Sequence, residues 1–253
     1  MNNIKFLNLG ALDSDASMFV YGEIMDENMP DPWTGEKSTT AFDMPDFKAS
    51  LDQLRPGQTL NMYFNSPGGS VFVASAMCSM LARLKEKGCK VNSYIDGAAI
   101  SAASMLVMAA DNIYAYKNSM MMIHKPSCGA YGNADAMISA ATMLEQVENG
   151  TMLPLYMAHA KCKEDDIKSM MAEEKWLTSN EIATVFGAEL IDETKQVAAF
   201  DKALFANYRN VPESVETADI HKALDAISAK LDKLSPTDEP KNYSAYENIL
   251  NLI

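Results

Sequence analysis

The chain has 253 residues, 48% of them hydrophobic, and a formal net charge of −13. That is enough apolar material for one sizeable core and a tail, while the acidic balance argues against nucleic acid as a partner. No stretch is long and apolar enough for a signal peptide or a membrane span, so no membrane partner and a cytoplasmic location are expected. The four cysteines (Cys78, Cys89, Cys128 and Cys162) are scattered, form no CxxC pair and share no zinc-ligand spacing with the histidines. Neither a disulfide framework nor a metal site is expected, and a reducing compartment fits.

In chain order, "SMFVYGEI" (17–24) alternates as an early strand. "DENMPDPWTGEKSTT" (26–40) is a loop by its Pro, Asp and Gly content. "AFDMPDFKASLDQL" (41–54) has helical spacing, with Asp46 placed to cap a helix at Phe47. "TLNMYFN" (59–65) is a strand ended by the turn "SPGG". "SVFVASAMCSMLARLKEKG" (70–88) is a helix stopped by Gly88. "CKVNSYID" (89–96) reads as a strand, "GAAISAASMLVMAA" (97–110) as a helix, and "NIYAY" (112–116) and "SMMMIH" (119–124) as short strands.

Residues 133–162 form a long helical stretch with a break expected near Gly150 and Pro154, and "KEDDIKSMMAEE" (163–174) is a helix with a charged face. "WLTSNEIATVFGAELID" (176–192) reads as a loop, a short helix capped by Thr178 or Ser179, a stop at Gly187 and a closing strand. Past about residue 205 the character changes. "NVPESVETAD" (210–219) is a linker. Ile220, Leu224, Ile227, Leu231 and Leu234 then form a heptad seam too short to dimerise alone, and "SPTDEPKNYSA" (235–245) is expected to be mobile.

Strand–turn–helix thus occurs twice in succession, at 59–88 and 89–110. That alternation predicts an α/β fold with parallel-sheet βαβ units. Ligands of such sheets sit beyond the carboxyl ends of the strands, where "SPGG" and "GAAIS" both fall.

Three groups at those ends could carry chemistry. Ser101 follows three small residues where strand gives way to helix, so a substrate backbone could approach it. The Ala102 N–H could face a developing oxyanion. The bland alternative is a small residue packed at a helix start. Ser104, one turn deeper, fits packing or a bond to a backbone carbonyl. A serine needs a base, and the chain has three histidines. His221 lies in the tail and His159 among apolar helix residues, which leaves His124, at a strand end stopped by Pro126. In "NSPGGSV" (65–71) the plain reading is a Pro-Gly turn. The functional one is a bare amide at Gly68 or Gly69 as second oxyanion donor, with Ser70 and Val71 pairing an extended peptide as an added strand.

"NSPGG", "GAAISAAS" and "MMIHKPS", in this order, resemble the signature blocks of the ClpP-type serine peptidases, which have a crotonase-like fold. The resemblance runs through "YMAHAKCKEDDI" to "WLTSNEIATVFGAELID", about residues 17 to 195. The loop "DENMPDPWTGEKS", the pattern "MMAEEKWLTSNEIA" and the tail are most similar to the phage branch, the head maturation proteases. The resemblance implies a peptidase domain over 1–205, with a handle helix near 134–160, and a linker and short helical tail over 206–253. It implies Ser101 as nucleophile, His124 as base, Gly68 or Gly69 with Ala102 as oxyanion donors, and Ser70, Val71 and Pro126 at the substrate. It further implies polypeptide substrates, a homo-oligomer of heptameric rings and no cofactor. ATP-independent processing of phage scaffold and capsid precursors is the corresponding role.

One position departs from the family pattern. Counting back from Trp176, the third catalytic aspartate falls on Met170, which cannot orient an imidazole. The nearby acids are Asp165, Asp166, Glu173 and Glu174. Glu174 is the first candidate and Glu173 the next, against the plain reading of a solvated helix face. A Ser–His dyad helped by a backbone carbonyl is a further alternative. Two other function classes stay open: a catalytically silent oligomeric assembly scaffold, and a crotonase-type acyl-CoA enzyme.

Overall fold

The computed structural model describes residues 7–9, 15–26, 42–193, 200–201, 208, 211–212 and 217–218. Its centre is a mostly parallel sheet. Strand β1 (Leu7–Leu9) runs antiparallel to β2 (Ala16–Tyr21), and β2 pairs in parallel with β5 (Thr59–Ser66). The two-residue strands β3 (Ile24–Met25) and β4 (Phe42–Asp43) form a small parallel pair of their own. Between β4 and β5 lies α1 (Met44–Leu51).

The expected cap at Asp46 is corrected by one turn. Asp43 is the N-cap of α1, accepting the Asp46 N–H at 3.0 Å, and Pro45 sits in the first turn, where a missing N–H costs nothing.

After β5 come α2 (Val71–Glu86), capped by the Ser70 hydroxyl, and the long strand β6 (Lys90–Ile100). Here the expected helix over 97–110 is corrected too: Gly97–Ile100 continue the strand, and α3 covers Ala102–Met108 only. Every residue of α3 is buried, as suits a helix apolar on all sides.

The extra length of β6 forks the sheet. Its first half pairs with β7 (Asn112–Tyr116), through Asn92–Ile95. Its second half pairs with β8 (Met120–Ile123), with Ala98, Ala99 and Ile100 opposite Met120, Met121 and Met122.

Next comes the long helical stretch. It begins as α4 (Ala134–Val147), capped by Asn133, passes through a π-helical turn at Glu148–Met152 and ends as α5 (Leu153–Met157). The break expected at Gly150 and Pro154 is therefore a π segment; Pro154 has no N–H to continue the α ladder. Helix α6 (Glu164–Glu173) follows, then β9 (Lys175–Thr178), which pairs antiparallel with β8. "WLT" is thus a strand where a loop was expected. Thr178 caps α7 (Ser179–Phe186), with Glu181 closing the capping box, and Gly187 stops the helix at φ 70°. Strand β10 (Glu189–Ile191) closes the sheet beside β7.

The main sheet order is β1-β2-β5-β6-β7-β10, with β8 and β9 branching from β6. Across its outward face runs a stack of aromatic rings, Phe19–Tyr63–Tyr94–Tyr114, with centroids 4.6 to 5.2 Å apart. A last parallel pair joins β11 (Phe200–Asp201) to β12 (Thr217–Ala218), so β12 lies beyond the domain end expected at 205. So do Tyr208 and Val211, which pack against Ala98, Ile100, Met122 and Trp176. The loop expected over 26–40 and the heptad seam fall outside the described residues, apart from Asp26. Among the described residues no helix is long and apolar enough to cross a membrane.

Candidate active site

Three parallel strands bring the candidate groups together by register. Ile100, the last residue of β6, lies opposite Met122 of β8, and the Ser101 N–H donates to the Met122 carbonyl at 2.9 Å. His124 is two residues further along β8's path. On the other side of β6, Ser66 at the end of β5 pairs with Ala99 after a register shift, so the Pro67-Gly68-Gly69 turn leaves the sheet at the same edge. The carboxyl ends of β5, β6 and β8 therefore surround one cleft of about 640 Å³.

Within it, Ser101 Oγ lies 2.6 Å from His124 Nε2. Ser101 is buried and has φ 54° and ψ −123°. A side chain held there at the junction of strand and helix is a strained elbow that lifts the hydroxyl off the sheet edge. Among the described residues, only one other non-glycine residue has positive φ: Glu174, also 54°. Both outliers line this cleft.

The turn approaches Ser101 as closely as glycine allows. A Cβ on Gly68 (φ 93°) would lie 2.5 Å from the Ile100 carbonyl oxygen and 2.8 Å from Ser101 Cβ, and one on Gly69 (φ 146°) would collide with the Ile24 carbonyl. The Gly68 N–H donates to Ser66 Oγ at 3.2 Å, and Ser66 Oγ itself donates to the Gly22 carbonyl at 2.6 Å. Gly69 and Ala102 both line the cleft with Ser101.

Ser70, Val71 and Pro126 line the cleft as expected. The added-strand expectation is corrected at Ser70. Its N–H donates to the Ile24 carbonyl at 2.9 Å, its carbonyl receives the Ala74 N–H at 3.0 Å, and its hydroxyl caps α2. With both backbone groups engaged, Ser70 is a helix cap and not a free strand edge.

The acids separate cleanly. Glu173 is exposed on α6, and Asp166 closes the N-terminus of that helix by accepting the Lys163 N–H at 3.0 Å. Asp165 is exposed in the same first turn, and Met170 packs at the core margin. Glu174 is buried in the cleft wall. Its position follows from the β8–β9 ladder, in which Met122 faces Trp176 and Ile123 faces Lys175. The ladder ends at that pair; Glu174, next to it in the chain, is the left-handed C-cap of α6 (φ 54°, ψ 61°) and lines the same cleft as His124.

Ser104 bonds a backbone carbonyl, one of the two roles its place in the sequence predicts, while Tyr156, Lys125 and Tyr208 carry no signal in the sequence. Ser104 Oγ donates to the Ser101 carbonyl at 2.6 Å and lies 2.8 Å from the hydroxyl of fully buried Tyr156. Burial pushes the Tyr156 pKa up, so this hydroxyl stays protonated. Lys125 pairs with Glu148 of the π turn at 3.1 Å. Tyr208 stands edge-on to His124, with ring centroids 5.6 Å apart. His159, read as structural, lies outside the cleft with its Nε2 3.1 Å from the Ala110 carbonyl; burial lowers its pKa. Among the described residues no cluster of three or more His, Cys, Asp or Glu side chains could hold a metal ion.

The sequence profile of the family described as Clp protease matches residues 39–196. A protein of Deinococcus radiodurans named ATP-dependent Clp protease proteolytic subunit is 31% identical over 151 residues, 58% of this chain and 71% of that protein. Proteins of the same name from Porphyromonas gingivalis (29% identical, 52% of this chain and 58% of the relative) and Bacteroides fragilis (28%, 56% and 67%) are similar over the same order of length.

Proposed function

Because the chain belongs to the Clp protease family, we propose that it is a serine endopeptidase whose nucleophile is Ser101 and whose general base is His124. The observation that carries this reading is the 2.6 Å approach of Ser101 Oγ to His124 Nε2 at a strained strand–helix elbow. A hydroxyl is a weak nucleophile at neutral pH, and an imidazole at hydrogen-bond distance is what activates it.

The chemistry follows from the groups present. Ser101 Oγ attacks the peptide carbonyl carbon while its proton passes to His124 Nε2. The carbonyl oxygen takes the negative charge, facing the amides of Gly69 and Ala102. Gly68 is the weaker choice of the two glycines, since Ser66 Oγ already accepts its N–H. His124 then hands the proton to the leaving amine, and the C–N bond breaks. Water adds to the acyl-serine by the same route in reverse, releasing the acid and restoring both side chains. Glu174, buried in the wall of the same cleft, orients the imidazole in place of the acid that Met170 cannot supply. Val71, Phe72 and Pro126 line the path of the substrate.

Two finer assignments belong to the same proposal. The chain forms a homo-oligomer of heptameric rings, with α4 as the handle between copies: Met137 and Ile138 of that helix and Tyr131 just before it are exposed apolar side chains. Its role is the processing of phage scaffold and capsid precursors, supported by the phage-like loop at 26–38 and the pattern at 170–183. ATP has no part in the bond cleavage itself, since serine, imidazole and amides suffice for it. A fluorogenic peptide short enough to need no unfolding tests this: hydrolysis without nucleotide, lost in Ser101→Ala, supports the reading, and hydrolysis that survives Ser101→Ala overturns it.

A further inference from the structure

Tyr208 lies beyond the matched family region, yet it stands in the cleft. Its hydroxyl donates to the Pro67 carbonyl at 2.9 Å, which uses its one proton. Its oxygen is also within hydrogen-bonding reach of the Ser101 side chain. The ring stands edge-on to His124. Tyr208 and Val211 are anchored on an apolar patch made by Ala98, Ile100, Met122 and Trp176, at the back of the catalytic strands.

Resting on the peptidase reading above, we propose that the carboxyl-terminal segment bearing Tyr208 and Val211 is an intramolecular inhibitor of the site. Two physical effects produce the inhibition. The first is exclusion. A scissile carbonyl carbon must come within about 3–3.5 Å of Ser101 Oγ, and Tyr208 stands in the same cleft, against His124 and the Pro67 carbonyl, where it competes for that space. The second is proton competition. Ser101 has one hydroxyl proton and two acceptors in reach, His124 Nε2 and the Tyr208 oxygen, whose own proton is committed to Pro67. Whenever Ser101 donates to Tyr208, the base is disengaged and the nucleophile is not activated. A substrate must displace Tyr208, so only the open fraction of molecules reacts.

Because the blocking group is part of the same chain, its displacement by an oligomeric partner or a docked precursor would turn the site on without a cofactor. When the segment leaves, His124 Nε2 is again the acceptor for the Ser101 proton.

The test uses the full chain and a fluorophosphonate that phosphorylates Ser101, with the labelling rate followed by intact mass. Tyr208→Ala is expected to label about tenfold faster than wild type or more. Tyr208→Phe, which keeps the ring and loses the oxygen, should lie between them. Val211→Asp, which loosens the anchor without touching the cleft, should also label faster. Equal rates in wild type, Tyr208→Ala and Val211→Asp, with Ser101 labelled in all three, would overturn the inhibition and leave the peptidase reading standing. No label on Ser101 in any of them, with the fold intact by circular dichroism, would overturn the peptidase reading and the inhibition with it.

Discussion

The hydroxyl of Tyr156 lies 2.8 Å from that of Ser104, and Ser104 in turn donates to the Ser101 carbonyl. A fully buried pair from the α5 and α3 helices thus holds the back of the strained elbow whose front carries the nucleophile. The contact links a core packing feature to the geometry of the site.

Removing the Tyr156 hydroxyl leaves Ser104 with one partner in place of two. Tyr156→Phe should cost about 1 kcal/mol of stability, the net worth of one buried hydrogen bond. If the elbow relaxes as a result, kcat falls several-fold while KM is unchanged. Chemical denaturation and steady-state kinetics on one preparation read both effects.

Gly68 and Gly69 are packed too closely for any side chain. Gly68→Ala forces a Cβ to 2.5 Å from the Ile100 carbonyl oxygen, and Gly69→Ala drives one into the Ile24 carbonyl, both at positive φ. Each substitution should destabilise by roughly 1–3 kcal/mol and remove most activity, since the turn must shift away from Ser101. Thermal melts with a peptide assay check it; unaltered activity in Gly69→Ala would mean that this amide is not an oxyanion donor.

The two neighbouring glutamates should behave differently. Glu174→Gln replaces the buried carboxyl group of the cleft wall and is expected to lower kcat by roughly 10²–10⁴-fold, the scale of losing an orienting acid. Glu173→Gln alters an exposed carboxylate and should leave kcat unchanged. Parallel kinetics on both variants decide between Glu174 and an unassisted dyad.

His159 predicts a pH effect on stability. Burial lowers its folded-state pKa below the ordinary 6.5, so the unfolded chain binds the proton more readily. Its contribution is complete above about pH 6.5 and is lost as the pH falls through the folded value. The drop in melting temperature between neutral and mildly acidic pH should therefore be smaller in His159→Asn than in wild type.

Much of the fold is legible in residue patterns: the capped amphipathic helix at 71–86, the strand before it, the Thr178 cap and the Gly187 stop. The stretch at 97–100 is not, because Gly97, Ala98 and Ala99 carry no alternation and alanine favours helix. Only the tertiary pairing with β8 makes it strand. Ser101 and His124 stand out as a hydroxyl among small residues and a histidine at a strand end. Their meeting depends on the fork in β6, which no local pattern encodes. Glu174 is chosen by its burial in the cleft wall, a tertiary fact, while the count from Trp176 lands on Met170. Tyr208 lies in a segment with no periodicity, so nothing in its neighbours announces that it turns back into the cleft.

The central claim is that Ser101 is a nucleophile activated by His124. Peptide mapping after reaction with a fluorophosphonate measures it most directly. The account predicts a single adduct on Ser101, absent from Ser101→Ala, strongly slowed in His124→Ala and never on Ser104. An adduct on another residue, or labelling of Ser101 at the same rate without the imidazole, would contradict it.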